Sequence, residues 1–103
     1  MEDLGRCSQH KTVYLEELRH PQLQLMFPIS VMIETDGGTV FASHITTEMY
    51  GYGDTESEAV EDLRLGLIDL YEDLFKNSHR LGPLPQQWWT YLQAIIQPVK
   101  ILP

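Results

Sequence analysis

Histidine, cysteine and carboxylate side chains are the groups in this chain that could do chemistry, and their spacing decides which chemistry. The four histidines are His10, His20, His44 and His79. No pair has the helical spacing of metal ligands, and no cysteine or carboxylate completes a recognisable metal pattern with them. His44 falls in a predicted strand, where a structural histidine with satisfied hydrogen bonds is the favoured interpretation. The sequence therefore predicts no metal site and no cofactor.

Cys7 and a cluster of carboxylates are the other candidates for catalysis. A thiol nucleophile needs a base and a positive environment, and no pattern fixes the nearby His10 against Cys7. Asp69, Glu72 and Asp73 share the polar face of a predicted helix. Paired carboxylates do acid–base work only in a cleft that moves their pKa values apart, so a solvated helix face is the simpler interpretation. The sequence thus predicts a chain that is not an enzyme.

The balance of charge bears on what the chain could bind. The sequence has 103 residues, with 15 acids, 7 lysines and arginines, and a formal net charge of −8. Binding of DNA or RNA needs clustered lysine and arginine side chains that displace counterions from phosphates, whereas these are scattered along the chain. Direct nucleic-acid binding is therefore not expected. An acidic surface keeps a protein soluble, and it also suits a basic partner.

Chain length, cysteine content and the N-terminal residues predict the number of domains and the cellular compartment. One domain over residues 1–103 is expected, since 43% of the residues are hydrophobic and the length suits a single compact core. Cys7 is the single cysteine, so no intrachain disulfide can form, which fits a reducing compartment. Residues 1–8 lack the apolar stretch of a signal peptide, and no apolar stretch is long enough to cross a membrane. We therefore expect a cytoplasmic protein with no membrane partner.

Alternating apolar residues predict the first part of an antiparallel sheet. Residues 1–11 carry no pattern and are expected to be flexible, and residues 12–18 could form a first strand or a short helix. Every odd position from 23 to 33 is apolar, a period of two that places one face of a strand on the core. Because Pro28 cannot donate to a sheet ladder, the regular strand should run from about Ile29 to Thr35.

Glycines mark the turns that complete this sheet. Asp36-Gly37-Gly38 predicts a tight hairpin, because glycine accepts the positive φ that such turns need. The returning strand at 39–45 is apolar on both faces, which is typical of a central strand. A third strand is expected at 49–52, and Gly51 and Gly53 are expected to end it in a bend.

A long amphipathic helix follows the strands. Residues 55–58, with the sequence Thr-Glu-Ser-Glu, have the pattern of a capping box, whose first residue caps the helix and whose last reaches back. The apolar positions of residues 60–75 span nearly half of the helix circumference, which is wider than one contact needs. This apolar arc should touch the sheet and either a second helix or a partner chain.

Residues 83–103 are predicted to form a C-terminal helix and a tail. Pro85 is expected in the first turn of this helix, and residues 99–102 of the tail are expected to form a short strand or a docking segment.

Six residues are predicted to contact a partner or a second copy of the chain. Arg64 falls inside the apolar arc, where an arginine either lies over apolar surface with its head in water or meets a carboxylate across an interface. Trp88 and Trp89 have large surfaces and N–H groups that are hard to bury together in so small a domain, and tryptophan is enriched at binding hot spots. The predicted interface residues are Arg64, Ile68, Tyr71, Phe75, Trp88 and Trp89.

Part of this pattern resembles the HicB family of antitoxins. The matching features are Asp36-Gly37-Gly38 on a hairpin, Ala42 on the returning strand, and Gly53-Asp54-Thr55-x-x-Glu58-Ala59 at the start of a long helix. The resemblance covers residues 29–75. Residues 44–49 depart from the Pro-Asp-Leu-x-Gly-Cys segment that the family has before its third strand.

The resemblance implies a degraded ribonuclease-H-like fold, in which a helix packs on an antiparallel three-stranded sheet. It also implies that the chain binds and blocks HicA, a small basic RNA-cleaving toxin, and that it forms dimers or tetramers. Many members of the family carry a C-terminal DNA-binding module. The C-terminal part of this chain is short and poor in lysine and arginine, which does not favour such a module.

These observations predict an α+β domain with a three- to four-stranded antiparallel sheet, a long helix packed on one face and a second C-terminal helix. The expected function is non-catalytic protein binding, as an antitoxin-like or orphan regulator of a toxin–antitoxin system. Two alternatives are a purely structural homo-oligomer and a metal-dependent nuclease-like enzyme. The enzyme would need carboxylates that hold a divalent metal, and the predicted strands and turns offer Glu34, Asp36 and Glu48.

Overall fold

The computed structural model describes residues 9–99 of the chain. Cys7, and the part of the predicted tail beyond Val99, lie outside these residues. Within them, the elements in chain order are β1 (Gln9–Leu15), β2 (Leu23–Leu25), β3 (Ile29–Asp36), β4 (Thr39–His44), β5 (Met49–Gly53), α1 (Glu56–Lys76), a short 3-10 helix (Ser78–Arg80), α2 (Pro83–Ile95) and β6 (Ile96–Pro98).

Four strands form one antiparallel sheet in the order β1-β3-β4-β5, and β2 pairs with β6 in a separate two-stranded ribbon. The β3–β4 hairpin closes through Gly37 and Gly38, whose φ angles are +60° and +87°. Glycine adopts this left-handed backbone without strain. α1 packs against β4 and β5, while α2 lies against α1 and β6. The predicted α+β fold is therefore confirmed, with β4 as a central strand.

The first strand begins earlier than the sequence indicates. Residues 9–11, which belong to the segment expected to be flexible, pair with residues 33–35 of β3. The neighbouring strand orders them, because a ladder satisfies backbone N–H and C=O groups whatever the side chains are. The same pairing makes residues 12–15 a strand and not a helix, and residues 16–20 belong to neither.

The alternating apolar run that begins at Leu23 is divided between two sheets. Leu23 is buried in the β2–β6 ribbon, Phe27 is exposed, and Ile29 is buried again in β3. Met26 donates its backbone N–H to the carbonyl oxygen of Ile95 at 2.6 Å, which ties this segment to the end of α2. The prediction of one continuous core face is therefore wrong at Phe27.

Helix α1 begins where the sequence predicts. The Thr55 hydroxyl accepts a hydrogen bond from the backbone N–H of Glu58 at 3.1 Å, and the Glu58 carboxylate accepts one from the backbone N–H of Asp54 at 2.8 Å. The first bond satisfies an amide group that the first turn of a helix leaves unpaired, and the second holds the residue that precedes the N-cap. The buried face of the helix consists of Ala59, Leu63, Arg64, Leu67, Ile68, Tyr71 and Leu74.

Helix α2 occupies the first part of the predicted C-terminal segment. It begins at Pro83, with Pro85 in its first turn, and ends at Ile95. Pro98 lies beyond the helix, in β6 opposite Leu23. No helix within residues 9–99 combines the length and the hydropathy that crossing a membrane requires.

Gly51 allows α1 to lie directly on β5. A Cβ atom at this position would be 2.7 Å from the carbonyl oxygen of Ala59 and 2.8 Å from the carbonyl carbon of Asp62. Because both are backbone atoms, only a residue without a side chain lets the helix approach the strand this closely. The predicted bend is absent at Gly51, since the strand continues to Gly53.

Candidate interaction surface

One face of the four-stranded sheet has no described helix or strand packed on it. Residues opposite each other in an antiparallel ladder lie on the same face, and successive residues alternate between faces. One face carries the buried side chains of Val31, Ile33, Val40 and Ala42. The other, here called the open face, includes Thr12, Tyr14, Ser30, Met32, Glu34, Asp36, Thr39, Phe41, Ser43, Tyr50 and Tyr52.

Aromatic side chains dominate the open face. Tyr14 and Tyr50 are both 64% exposed, and Tyr52 is 59% exposed. Phe41 is partly buried beside Tyr52, with the two ring centroids 6.2 Å apart. The Asp62 carboxylate of α1 accepts a hydrogen bond from the backbone N–H of Tyr52 at 3.1 Å, which fixes this edge of the sheet to the helix. Tyrosine and phenylalanine combine large apolar area with few rotatable bonds, so this composition suits an interface.

A shallow depression of about 460 Å³ lies on the open face toward the turn between β4 and β5. Two carboxylates line it, that of Glu34 on β3 and that of Glu48 in the turn. Its walls include Phe41, Tyr50 and Ile45, of which Ile45 is 75% exposed. Glu48 has a φ of +60°, and its backbone N–H donates to the carbonyl oxygen of Ile45 at 3.1 Å. The backbone of the turn therefore determines the direction in which the Glu48 side chain leaves the chain.

Among the open-face residues whose side chains the structure describes, the charged groups are the carboxylates of Glu34 and Asp36, and none is a lysine or an arginine. Lys11 of β1 lies on the opposite side of the sheet, opposite Ile33, and its Nζ pairs with the Glu56 carboxylate at 2.8 Å. A phosphate backbone placed on the open face would therefore meet no lysine or arginine from it.

His44 is a buried histidine that lines the same depression from below. It is 3% exposed, its Nδ1 lies 2.8 Å from the Thr47 hydroxyl, and its Nε2 lies 3.1 Å from the Tyr91 hydroxyl. A neutral imidazole donates from one nitrogen and accepts at the other, and a hydroxyl can take either role, so both nitrogens are satisfied. Burial lowers the pKa of His44 and raises the pKa of Tyr91. This network links the β4–β5 turn to α2 and matches a structural histidine.

Acidification is expected to destabilise the protein through His44. Burial holds the pKa of its imidazole below the ordinary 6.5 in the folded protein, so the unfolded chain takes up a proton first as the pH falls. The contribution of neutral His44 to stability is complete above about pH 6.5 and is lost as the pH falls toward the folded-state pKa. Urea unfolding should therefore show a larger loss of unfolding free energy between about pH 7.5 and about pH 5.5 in the wild type than in His44→Gln. His79→Gln, at an exposed position, should behave like the wild type, and an equal loss in wild type and His44→Gln would contradict the prediction.

Three of the six predicted interface residues are buried within the chain itself. Ile68, Tyr71 and Trp89 belong to the hydrophobic core. Trp89 packs on α1, with its ring centroid 5.2 Å from that of Tyr71 and 6.1 Å from that of Phe75. Burial also raises the pKa of the Tyr71 hydroxyl. The sheet and α2 thus cover this part of the apolar arc, and these three side chains are not exposed to a partner in this fold.

Arg64 is also buried, at 6% exposure. Its Nη1 pairs with the carboxylate of Glu61, one turn earlier on the same helix, while its Nε has no hydrogen-bond partner among the described atoms. Burial, and then the neighbouring charge of Arg19, lower the pKa of Arg64, although a guanidinium keeps its proton at any ordinary pH. The carboxylate expected across an interface is therefore supplied from within α1, and the head of Arg64 does not lie in water.

Phe75 and Trp88 are the predicted interface residues that keep accessible surface. Phe75 is 63% exposed, and Trp88 is half-buried against the core. Phe75 and Tyr71 line a cleft of about 420 Å³ between α1 and the β2–β6 ribbon, with Leu23 and Pro98 on its other side. The contact of Phe75 and Trp88 with a partner stays a prediction.

Sequence reasoning does not single out the tyrosines of the open face. Tyr50 and Tyr52 are two residues apart on one strand, so they share a face, and Gly51 between them faces α1. If the sequence had shown that Gly51 lies under a helix and not in a bend, the face of the sheet that carries Tyr50 and Tyr52 would have been identified as the exposed one. Tyr14 alternates with Val13 and Leu15 in the same way.

In the part of the chain that the structure describes, no three histidine, cysteine, aspartate or glutamate side chains are placed to hold a metal ion together. Asp69, Glu72 and Asp73 are exposed on the outer face of α1. Glu34 and Glu48 share the depression on the open face, but no third carboxylate lines it.

Within the described residues the fold is α+β, and one aromatic-rich face of the four-stranded sheet has no helix or strand packed on it. Comparison with protein-family models, with curated proteins and with solved structures gave no match. The resemblance to the HicB family therefore rests on the residues of the hairpin and the start of α1 alone.

Proposed function

We propose that this chain is a cytoplasmic, non-catalytic protein-binding module of the antitoxin type, and that its open face receives a basic partner protein. The observation that carries the proposal is the set of exposed aromatic side chains on one sheet face. Tyr14, Tyr50 and Tyr52 are each more than half exposed, although aromatic residues of this size are usually well buried. Such groups form binding hot spots when a partner covers them.

The charge of the chain supports a basic partner. The formal net charge is −8, and Glu34 places a carboxylate on the open face itself. Opposite charges steer two proteins together and determine which partner is accepted. Aromatic sheet faces can also stack nucleic-acid bases, but those faces combine the rings with basic groups that follow the phosphates. The open face has Glu34 in place of such groups, which favours a protein over RNA or DNA.

The resemblance to HicB antitoxins supports the same class of function, because those proteins bind a small basic toxin. It also supports self-association, since the family forms dimers or tetramers. A structural homo-oligomer without another partner is the alternative proposal. In that case, the open face would be covered by a second copy of the chain and not by a basic protein.

Removal of one open-face ring is expected to weaken the complex strongly. The tagged chain is used to capture a basic protein from the native lysate, and the purified pair is then titrated by calorimetry. Tyr50→Ala or Tyr52→Ala should raise the Kd at least about 30-fold, the effect of a hot-spot residue worth about 2 kcal/mol. Raising the salt concentration should weaken the complex further, because it screens the charges.

Phe27→Ala is the matched control, because Phe27 is 60% exposed but lies outside the four-stranded sheet. Its Kd should equal that of the wild type. If both tyrosine variants have the same Kd as the wild type, the open face is not the binding surface. If the tagged chain captures only its own untagged copies, and if Tyr50→Ala has the mass of a monomer where the wild type has that of a dimer, the homo-oligomer is the better hypothesis and the basic partner is not supported.

A further inference from the structure

We propose that the depression on the open face is a receptor for one arginine side chain of the partner. This inference rests on the proposed function and names the chemistry that the same surface recognises. The depression is bounded by Glu34, Glu48, Phe41, Tyr50 and Ile45. Each of these groups matches one part of an arginine side chain.

The two carboxylates provide the charge. Glu34 projects from β3, and Glu48 comes from the β4–β5 turn, so two separate elements bring acceptors to one place. Among the described residues, neither carboxylate is within 4 Å of a lysine or arginine nitrogen. A guanidinium has five N–H donors in a planar fork, which allows it to bond to two carboxylates at once.

The aromatic and aliphatic walls provide the rest of the match. Phe41 and Tyr50 line the depression, and aromatic rings are favourable neighbours for the planar guanidinium of arginine. Ile45 is the most exposed of the large apolar residues among those described, at 75%, and it would cover the aliphatic stem of the guest. Lysine fits less well, because its ammonium is compact and strongly hydrated and cannot stack.

The position of the site is determined by the fold. The left-handed backbone at Glu48 and its hydrogen bond to Ile45 hold the turn, and His44 below is fixed by Thr47 and by Tyr91 of α2. A binding group on a braced turn loses little conformational freedom when a guest arrives. The fold therefore preorganises the backbone that carries Glu48, which lowers part of the entropic cost of binding a guest.

Binding of a short arginine peptide tests this inference without the natural partner. Acetyl-Gly-Arg-Gly-amide and its citrulline analogue, which is neutral and nearly isosteric, are titrated into the labelled chain and followed by two-dimensional NMR. At about 10 mM peptide, the arginine peptide should shift the backbone amides of residues 41–50 and the citrulline peptide should not. The double variant Glu34→Gln with Glu48→Gln should lose the shifts, while Glu16→Gln, at an exposed position that does not line the depression, should keep them.

Equal shifts with both peptides, no shifts at this concentration, or shifts that survive in the double glutamine variant would each overturn the arginine receptor. These results leave the proposed function testable on its own. If Tyr52→Ala weakens binding of a captured partner but the double glutamine variant binds it with the wild-type Kd, the result would support the binding module and overturn the receptor. Arginine-specific shifts together with no captured protein would support the receptor and overturn the proposed function.

Discussion

Gly51→Ala should prevent the protein from folding at ordinary temperature. The added Cβ would lie 2.7 Å from the carbonyl oxygen of Ala59 and 2.8 Å from the carbonyl carbon of Asp62. These atoms belong to the backbone of α1, so a side-chain rotation cannot relieve the clash and the helix would have to move off β5. Overpacking in a core typically costs about 1–3 kcal/mol, and a clash with two backbone atoms should exceed about 4 kcal/mol. A loss of this size removes most of the stability of a domain at the lower end of the usual range of about 5–15 kcal/mol.

Circular dichroism during urea unfolding measures this effect. The matched control is Gly66→Ala, within α1, where the new Cβ would meet the Met49 Cε at 2.9 Å. This methyl group is the end of a flexible side chain and can move, and alanine favours a helix over glycine by about 1 kcal/mol. Gly66→Ala should therefore be neutral or slightly stabilising. If the free energy of unfolding of Gly51→Ala is within about 1 kcal/mol of the wild-type value, α1 does not approach β5 as closely as described.

Trp89→Ala is expected to lower the free energy of unfolding by about 3–5 kcal/mol, the range for removing a buried large aromatic side chain. Trp89 is 6% exposed and packs against Tyr71 at 5.2 Å and Phe75 at 6.1 Å between ring centroids. Its loss would leave a cavity between α1 and α2, since backbone relaxation fills such space only in part. Thermal and urea unfolding would measure the loss of stability.

The oligomeric mass of the same variant decides between a core role and an interface role. If Trp89 holds α2 to α1, the mass by light scattering should be that of the wild type at a temperature where both proteins are folded. Trp88→Ala is the comparison, because Trp88 is only half-buried, and it should lose less stability. A lower mass with unchanged stability in Trp89→Ala would instead support the interface role that the sequence predicted.

Local chemistry explains why much of the fold can be predicted from the sequence. The β3–β4 hairpin follows from Gly37 and Gly38, since few other residues accept their positive φ angles. The start of α1 follows from Thr55 and Glu58, which satisfy the free amides of its first turn. These interactions join residues within a few positions of each other, so a pattern in the sequence is enough to locate them.

The surfaces are harder to predict, because burial depends on what packs against each face. The width of the apolar arc on α1 predicts two contacts, but it does not say that α2 would cover Tyr71 and leave Phe75 exposed. The sequence also does not reveal that Arg64 is buried and pairs with Glu61 of the same helix. In the same way, Tyr50 and Tyr52 become an exposed surface only when the helix is known to lie on the other side of the sheet.

The sequence by itself determined the turns, the capped helix and the alternation of the strands, because each of these depends on neighbours in the chain, and the acidic charge follows from composition alone. Only the tertiary structure decided that Gly51 lies under α1 and that the run from Leu23 splits into a ribbon with β6. It also decided that, within residues 9–99, no helix or strand packs on one face of the sheet. The physical reason is that pairing and packing join residues far apart in sequence, such as Leu23 with Pro98 and His44 with Tyr91. No local pattern records which distant segment will satisfy a given backbone group or cover a given apolar face.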